Sequence, residues 1–207
     1  MNVNAKPLSE LSRLEQCLKA ASTPFNAAPQ QLIPNGNDDE PYTFVLQAGA
    51  IEIYRRSDDL LIGIATAPFI MGLTAGMMNT CKEYRVVAKI FSTGFYLPAA
   101  TSHQLIQQDS LWQDAFCWLS WINHILGKRD TQLVGNNSYR QIRAMLMNMA
   151  EWDDVLRSKI GVMNHIQQST RISRSVVAEV LAALRQGNYI NMSRGKLVSI
   201  NRLPTEY

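Results

Sequence analysis

Cysteine is scarce: the 207-residue chain has three, Cys17, Cys81 and Cys117, an odd number with no CxxC or His-Cys spacing. That excludes a disulfide framework and a zinc finger, and makes reduced, mostly buried thiols the expectation. Charged residues are only 18% against 46% hydrophobic, which excludes a mainly disordered chain, a collagen-like repeat and a coiled-coil rod. Long apolar runs are missing too. The stretches 60–78 and 111–126 are broken by Gly, Pro, Asn, Asp or Ser, short of the roughly 20 residues a membrane span needs. The opening Met-Asn-Val-Asn-Ala-Lys-Pro has no charged run followed by an apolar block, so no secretory leader, no membrane partner and a cytoplasmic location are expected.

Catalytic signatures are equally absent. His103, His124 and His165 are scattered, and no GxSxG, GxxxxGK[ST], HExxH or GxGxxG pattern occurs. Asp58-Asp59 lies between two strand-like runs and reads as turn chemistry. The expectation is no enzyme, no catalytic residue, no metal and no cofactor.

What is present is uneven. Residues 136–207 hold ten Lys/Arg against five Asp/Glu, a net of +5, which leaves −2 for the remainder of a chain of net charge +3. A basic C-terminal unit on a near-neutral body suits nucleic acid, because neutralising phosphates supplies most non-specific affinity.

The texture also changes along the chain. Leu8, Leu11, Leu14 and Leu18 recur at helical spacing and predict an amphipathic helix over 7–20. Four prolines and the Asn35-Gly36-Asn37-Asp38-Asp39 turn make 23–41 a loop with one short strand at most, around Leu32. Short β-branched or aromatic runs at 42–47, 50–55, 60–66, 84–91 and 94–97 imply a sandwich or barrel. After Pro98 the spacing predicts one long helix over 101–127. One of its stripes is Leu111, Ala115, Trp118, Ile122 and Ile125, and the adjacent one is Trp112, Phe116, Leu119 and Leu126. Two stripes imply two packing partners, the β domain and a second copy of this helix; a single buried core helix is the alternative. Residues 127–137 read as a hinge and 138–151 as a helix with Ile142, Met145, Leu146 and Met149 inward.

From Ile160 the chain reads IGVMNHIQQSTRISRSVVAEVLAALRQGNYINMSRGKLVSINRL. It parses into a helix to 168, a turn over 169–172, a helix capped by Ser173 and running to 186, a Gly187-Asn188 stop, and two strands joined by Ser193-Arg194-Gly195-Lys196. That is a winged helix-turn-helix. Val177, Val180, Leu181 and Leu184 form the buried seam of the second helix, which leaves Arg174, Ser175 and Ala178 outward at the end that enters a major groove. Arg174 matches the O6 and N7 acceptors of guanine. Ser169, Thr170, Arg171 and Ser173 supply hydroxyls, charge and helix-end amides at phosphate height, with Arg194 and Lys196 at the wing. The alternative is a winged helix used only for protein contacts.

With these motifs the chain resembles the CRP and FNR superfamily of bacterial regulators over about residues 9–200. The fold this implies is α+β: an N-terminal antiparallel β-roll of the cyclic-nucleotide-binding type (1–100), a long dimerisation helix with its hinge (101–135), and a C-terminal winged helix-turn-helix (136–207). Ser173 and Arg174 fall where the family has its phosphate-contacting serine and guanine-reading arginine, and Arg194 falls at its wing contact. The partners implied are double-stranded DNA, a second copy of the chain and RNA polymerase. The likeness extends to a divergent branch of the superfamily implicated in restraining the oxidative-stress response.

The departures from the family pattern carry as much. Its Gly-Glu ribose contact aligns with Gly72-Leu73, its Arg-Ser phosphate contact with Lys82-Glu83, and its adenine-contacting pair with Gly127-Lys128. Leucine accepts no hydrogen bond and glutamate repels phosphate, so cyclic AMP is not the expected ligand; the β-roll is a pseudo-receptor or reads another molecule. The glutamate that follows the reading arginine is Ser175, and the helix's second outward arginine aligns with Glu179. Gln167, Thr170 and Arg171 stand where a small residue, an apolar residue and a turn glycine are usual. An iron-sulfur cluster needs a cysteine cluster near the N-terminus, which Cys17 alone does not supply. Cys81, beside Lys82, is the candidate peroxide-sensitive thiol. Cys117, beside Trp118, is expected to be buried.

Overall fold

In the computed structural model, residues 5–37, 39–78 and 81–205 are described, all but the side chain of Cys81. They fall into two compact units, Met1–Ile125 and Leu126–Tyr207.

The first unit opens with α1 (Leu8–Lys19), which buries Leu11, Leu14 and Leu18 but leaves Leu8 exposed. Seven strands follow: β1 (Thr23–Ala27), β2 (Tyr42–Ala48), β3 (Ala50–Arg55), β4 (Leu60–Thr66), β5 (Phe69–Met71), β6 (Tyr84–Ala88) and β7 (Ser92–Pro98). They make one antiparallel sheet in the order β1-β7-β2-β5 and another in the order β4-β3-β6. A single hydrophobic cluster joins Phe44, Leu46 and Phe95 of the first sheet to Ile51, Val86 and Ala88 of the second. Two strands escaped the sequence reading. β1 carries Pro24 and Asn26, poor strand formers that an edge position tolerates; β5 is three residues long, followed directly by Gly72. Leu32 does make a strand-like contact, an isolated antiparallel bridge to Val87.

The long helix expected over 101–127 is two helices, α2 (Ala99–Gln108) and α3 (Trp112–Leu133). The break is a left-handed helix stop. Ser110 sits at φ +58°, its N–H reaches the Gln107 carbonyl, and the Leu111 N–H reaches the Ile106 carbonyl. α3 then continues past Gly127 to Leu133, into the first half of the hinge expected over 127–137.

This changes the residues assigned to dimerisation. Ala115 and Trp118 belong to the core of the first unit, and Leu111 and Ile122 pack against that core. Of that stripe only Ile125 is exposed. Trp118 is anchored on three sides: its Nε1–H donates to the Ile70 carbonyl at 3.0 Å, Phe69 meets it edge-on with centroids 5.3 Å apart, and Trp121 stacks on it at 5.0 Å. The adjacent stripe faces outward at Phe116, which is 72% exposed. Arg13 of α1 clamps α3 from outside, donating through Nε and Nη2 to both oxygens of Asp114 at 2.9 and 2.7 Å.

The second unit contains the end of α3, α4 (Ser138–Ala150), α5 (Asp154–Lys159), α6 (Val162–Thr170), α7 (Arg174–Gln186) and the hairpin β8 (Ile190–Ser193) with β9 (Lys196–Ile200). Its buried side chains include Ile142, Leu146 and Met149 of α4, Val162 and Ile166 of α6, and Val177, Leu181 and Leu184 of α7. α5 was not foreseen, since six residues are too few to show a period; Asp153 caps it by accepting from the Leu156 N–H at 2.8 Å. Among the described residues, no helix is long and apolar enough to cross a membrane.

Candidate nucleic-acid interface

α6, its turn and α7 form the helix-turn-helix, and each end is set by a local device. At the end of α6, Arg171 takes the left-handed conformation (φ +64°) where a glycine is usual, and its N–H reaches the Gln167 carbonyl at 3.0 Å. Thr170 stays engaged in the turn: its hydroxyl donates to the Ile166 carbonyl at 2.7 Å and accepts from the Ile172 N–H at 3.3 Å. Ser173 caps α7 by accepting from the Val176 N–H at 3.4 Å, and its hydroxyl lies 3.1 Å from that of Ser175.

With Val177, Leu181 and Leu184 buried, α7 turns Arg174, Ser175, Ala178, Glu179, Ala182 and Arg185 to solvent. The three residues expected to face bases are therefore exposed at the N-terminal half of the helix. The hairpin is a two-residue turn in which Arg194 and Gly195 both take positive φ, +49° and +76°, the pattern of a type I′ turn. The Gly195 carbonyl accepts from the Val162 N–H at 2.9 Å, so the turn is tied to the start of α6 and holds Arg194 outward.

Two expected phosphate contacts are engaged within the protein. Ser169 is 4% exposed, and its carbonyl accepts from Nη2 of Arg129 at 3.2 Å; a buried hydroxyl reaches no phosphate. Lys196 is half-buried, its ammonium donating to the Lys159 carbonyl of α5 at 2.9 Å, so it braces the hairpin and leaves Arg194 as the exposed cation of the turn. Sequence reasoning also missed an open cavity in this unit, lined by three cations, Lys128, Arg140 and Arg143, and one acid, Glu151, with Gln132 and Asn148. Arg140 and Arg143, three residues apart on α4, were the available signal.

The residues aligned with the ligand cassette, Gly72, Leu73, Lys82 and Glu83, lie in the first unit. Gly72 needs its lack of a side chain: at φ +92°, a Cβ would sit 2.2 Å from the Tyr42 carbonyl oxygen. Leu73 is buried within the core cluster. Lys82 and Glu83 are exposed in the 3-10 turn Cys81–Glu83. The thiol of Cys81, the candidate redox group, lies outside the described residues. Cys17 and Cys117 are half-buried rather than fully buried, and burial, with a hydrogen bond to Asp109, pushes the Cys17 thiol up to about 11, away from the reactive thiolate. His103 packs edge-on to Trp112 at 4.8 Å, and His165 to Trp152 at 4.9 Å.

A family model described as winged helix-turn-helix DNA binding matches residues 138–205. Over 203 residues, 98% of each chain, the sequence is 52% identical to the inhibitor of hydrogen peroxide resistance from Escherichia coli (strain K12). Among solved structures, the c-di-GMP responsive global regulator CLP of Xanthomonas campestris matches with a TM-score of 0.69 at 16% identity, over 92% of this chain and 99% of that one. A CRP/FNR-family transcriptional regulator from Thermus thermophilus matches with a TM-score of 0.63 at 16% identity, over 86% and 93%. At such identities the likeness is one of fold.

Proposed function

The chain belongs to the family of inhibitors of hydrogen peroxide resistance and has the CRP/FNR fold, and from that premise we propose that it is a dimeric, sequence-specific transcriptional regulator that restrains peroxide resistance without binding a cyclic nucleotide. The observation that carries the reading is α7 itself. It is capped, packed on its apolar seam and open to solvent along the face that begins with Arg174, inside the segment matched by a DNA-binding family model.

In this reading α7 enters the major groove. Arg174 donates in bidentate fashion to guanine O6 and N7, and Ser175 and Ala178 face the neighbouring base edges. Arg171, Ser173 and Arg194 hold the phosphates on either side, while Thr170, its hydroxyl bonded to the Ile166 carbonyl, shapes the turn between the helices. The β-roll positions that would hold a cyclic nucleotide oppose one: Leu73 offers no acceptor to a ribose hydroxyl, and Glu83 sets a negative charge where the phosphate would lie. The second copy packs along the Phe116 face of α3. Phe116 is 72% exposed there, apolar surface that a second copy would cover.

The test is selection from random duplex DNA by wild type and Arg174→Ala in parallel, with peroxide survival of cells carrying each variant. Wild type should enrich discrete two-fold symmetric sites, Arg174→Ala should lose them, and cells carrying it should survive peroxide as the deletion strain does. Enrichment of no site by either protein, or sites unchanged by Arg174→Ala, overturns the reading and leaves a protein-facing winged helix.

A further inference from the structure

The outward face of α7 holds one residue whose charge opposes everything around a DNA reader. Glu179 is exposed, and with Ser175 and Ala182 it lies opposite the buried Val177-Leu181-Leu184 seam, where the floor of a groove would be. It stands five residues beyond Arg174, about 7.5 Å along the helix axis. Nothing on the helix neutralises it. Its neighbours at three and four residues are Ser175, Val176, Ala182 and Ala183, none of them a cation. No ion pair to Glu179 occurs among the described residues. Ser175, Ala178 and Ala182 are all short, so the helix can approach base edges closely and Glu179 is the longest acceptor there.

An unpaired carboxylate near two phosphate strands weakens binding to every sequence that gives it no donor. The major groove offers donors only at cytosine N4 and adenine N6. Adenine sets its N7 acceptor beside N6, guanine presents two acceptors and thymine one, so cytosine alone is a base whose own major-groove edge carries a donor and no acceptor. Resting on the DNA-reading function above, we infer that Glu179 is a specificity-determining residue that accepts from cytosine N4, so that each operator half-site carries a guanine read by Arg174 and a cytosine read by Glu179. The carboxylate acts chiefly by exclusion. It makes guanine and thymine repulsive at its position and lowers affinity for unrelated DNA.

The test is selection from random duplex DNA by the full chain as wild type, Glu179→Gln and Glu179→Ala, followed by titration of single-base variants of the recovered site. All three side chains suit a helix, and the position is exposed, so matching circular dichroism spectra serve as the folding control. Wild type should prefer cytosine at one position per half-site by roughly 5- to 150-fold, the range of one good base contact. Glu179→Gln should move that position to adenine, whose N6 and N7 a glutamine amide matches, and leave the Arg174-dependent guanine in place. Glu179→Ala should erase the preference there and bind unrelated DNA more tightly. A consensus that is the same for all three proteins overturns this inference while the DNA-reading function stands. A wild type with no consensus overturns both.

Discussion

Trp118 and Phe116 lie two residues apart on α3, and the structure gives them opposite roles. Replacing Trp118 with alanine removes an indole that is 1% exposed, its hydrogen bond to the Ile70 carbonyl and its contacts with Phe69 and Trp121. Core substitutions of this kind cost about 3–5 kcal/mol, against a total stability of about 5–15 kcal/mol for a domain. At a few degrees per kcal/mol, the melting transition of the first unit should fall by about 10–20 °C. Phe116→Glu removes no core contact, so its effect on the isolated chain should stay within about 0.5 kcal/mol, but it places a charge on the surface assigned to the second copy. The assay is thermal melting by near-ultraviolet circular dichroism, at a concentration where sedimentation velocity finds monomers, with sedimentation then repeated at high concentration. Trp118→Ala should melt early, and Phe116→Glu should melt normally and fail to associate. If Trp118→Ala melts with the wild type yet prevents association, the indole belongs to an interface and the assignment of the two faces is reversed.

The Arg13 guanidinium, hydrogen-bonded to both oxygens of Asp114, holds that carboxyl below its ordinary value. A depressed folded value means the pair stabilises fully above the unfolded carboxylate value of about 3.9 and loses that contribution as pH falls through the folded value. Urea midpoints of the wild type should therefore drop below about pH 4 more steeply than those of Asp114→Asn, and equal slopes would remove the pair from the account. At the cap of α7, Ser173→Ala should cost about 0.5–1 kcal/mol of second-unit stability by urea unfolding. Ser173→Asp should restore the cap and still weaken DNA binding, because its charge would face a phosphate; undiminished binding would move Ser173 off the DNA.

The two units differed in how much their sequence disclosed, and the reason is physical. α7 announces itself because each signal is local: a serine cap, a period-3.6 seam from Val177 to Leu184, a Gly-Asn stop and a two-residue turn between short strands. The exposure of Arg174, Ser175 and Ala178 follows from that seam alone. Ser169 and Lys196 could not be judged the same way, since their partners lie far off in sequence: Arg129 donates to the Ser169 carbonyl from 40 residues away, and the Lys196 ammonium donates to the Lys159 carbonyl, 37 away. In α3 the sequence shows two apolar stripes of similar weight, and the contacts that accompany the inward turn of one of them, such as the bond from Trp118 to the Ile70 carbonyl of β5, reach across 48 residues. The break at Ser110 is hidden for a related reason. Leu105, Ile106, Leu111 and Ala115 all meet the same core, so the apolar pattern runs on across the stop.

The Gly72-Leu73 pair separates two demands that a shared fold usually presents together. The glycine answers to the backbone: β2 passes so close that the Tyr42 oxygen occupies the place of a Cβ, and Thr43 fixes the strand by donating its hydroxyl to the Gly72 carbonyl at 3.0 Å. That requirement holds whether or not any ligand binds. The next position carries no such constraint, and its leucine joins the core with Phe44 and Ile70. A glycine in this place therefore answers to the backbone of the β-roll, and the side chain after it to the packing of the core. Glu179 follows the same logic on α7, where the buried seam specifies the helix and the outward residue is free to choose the base.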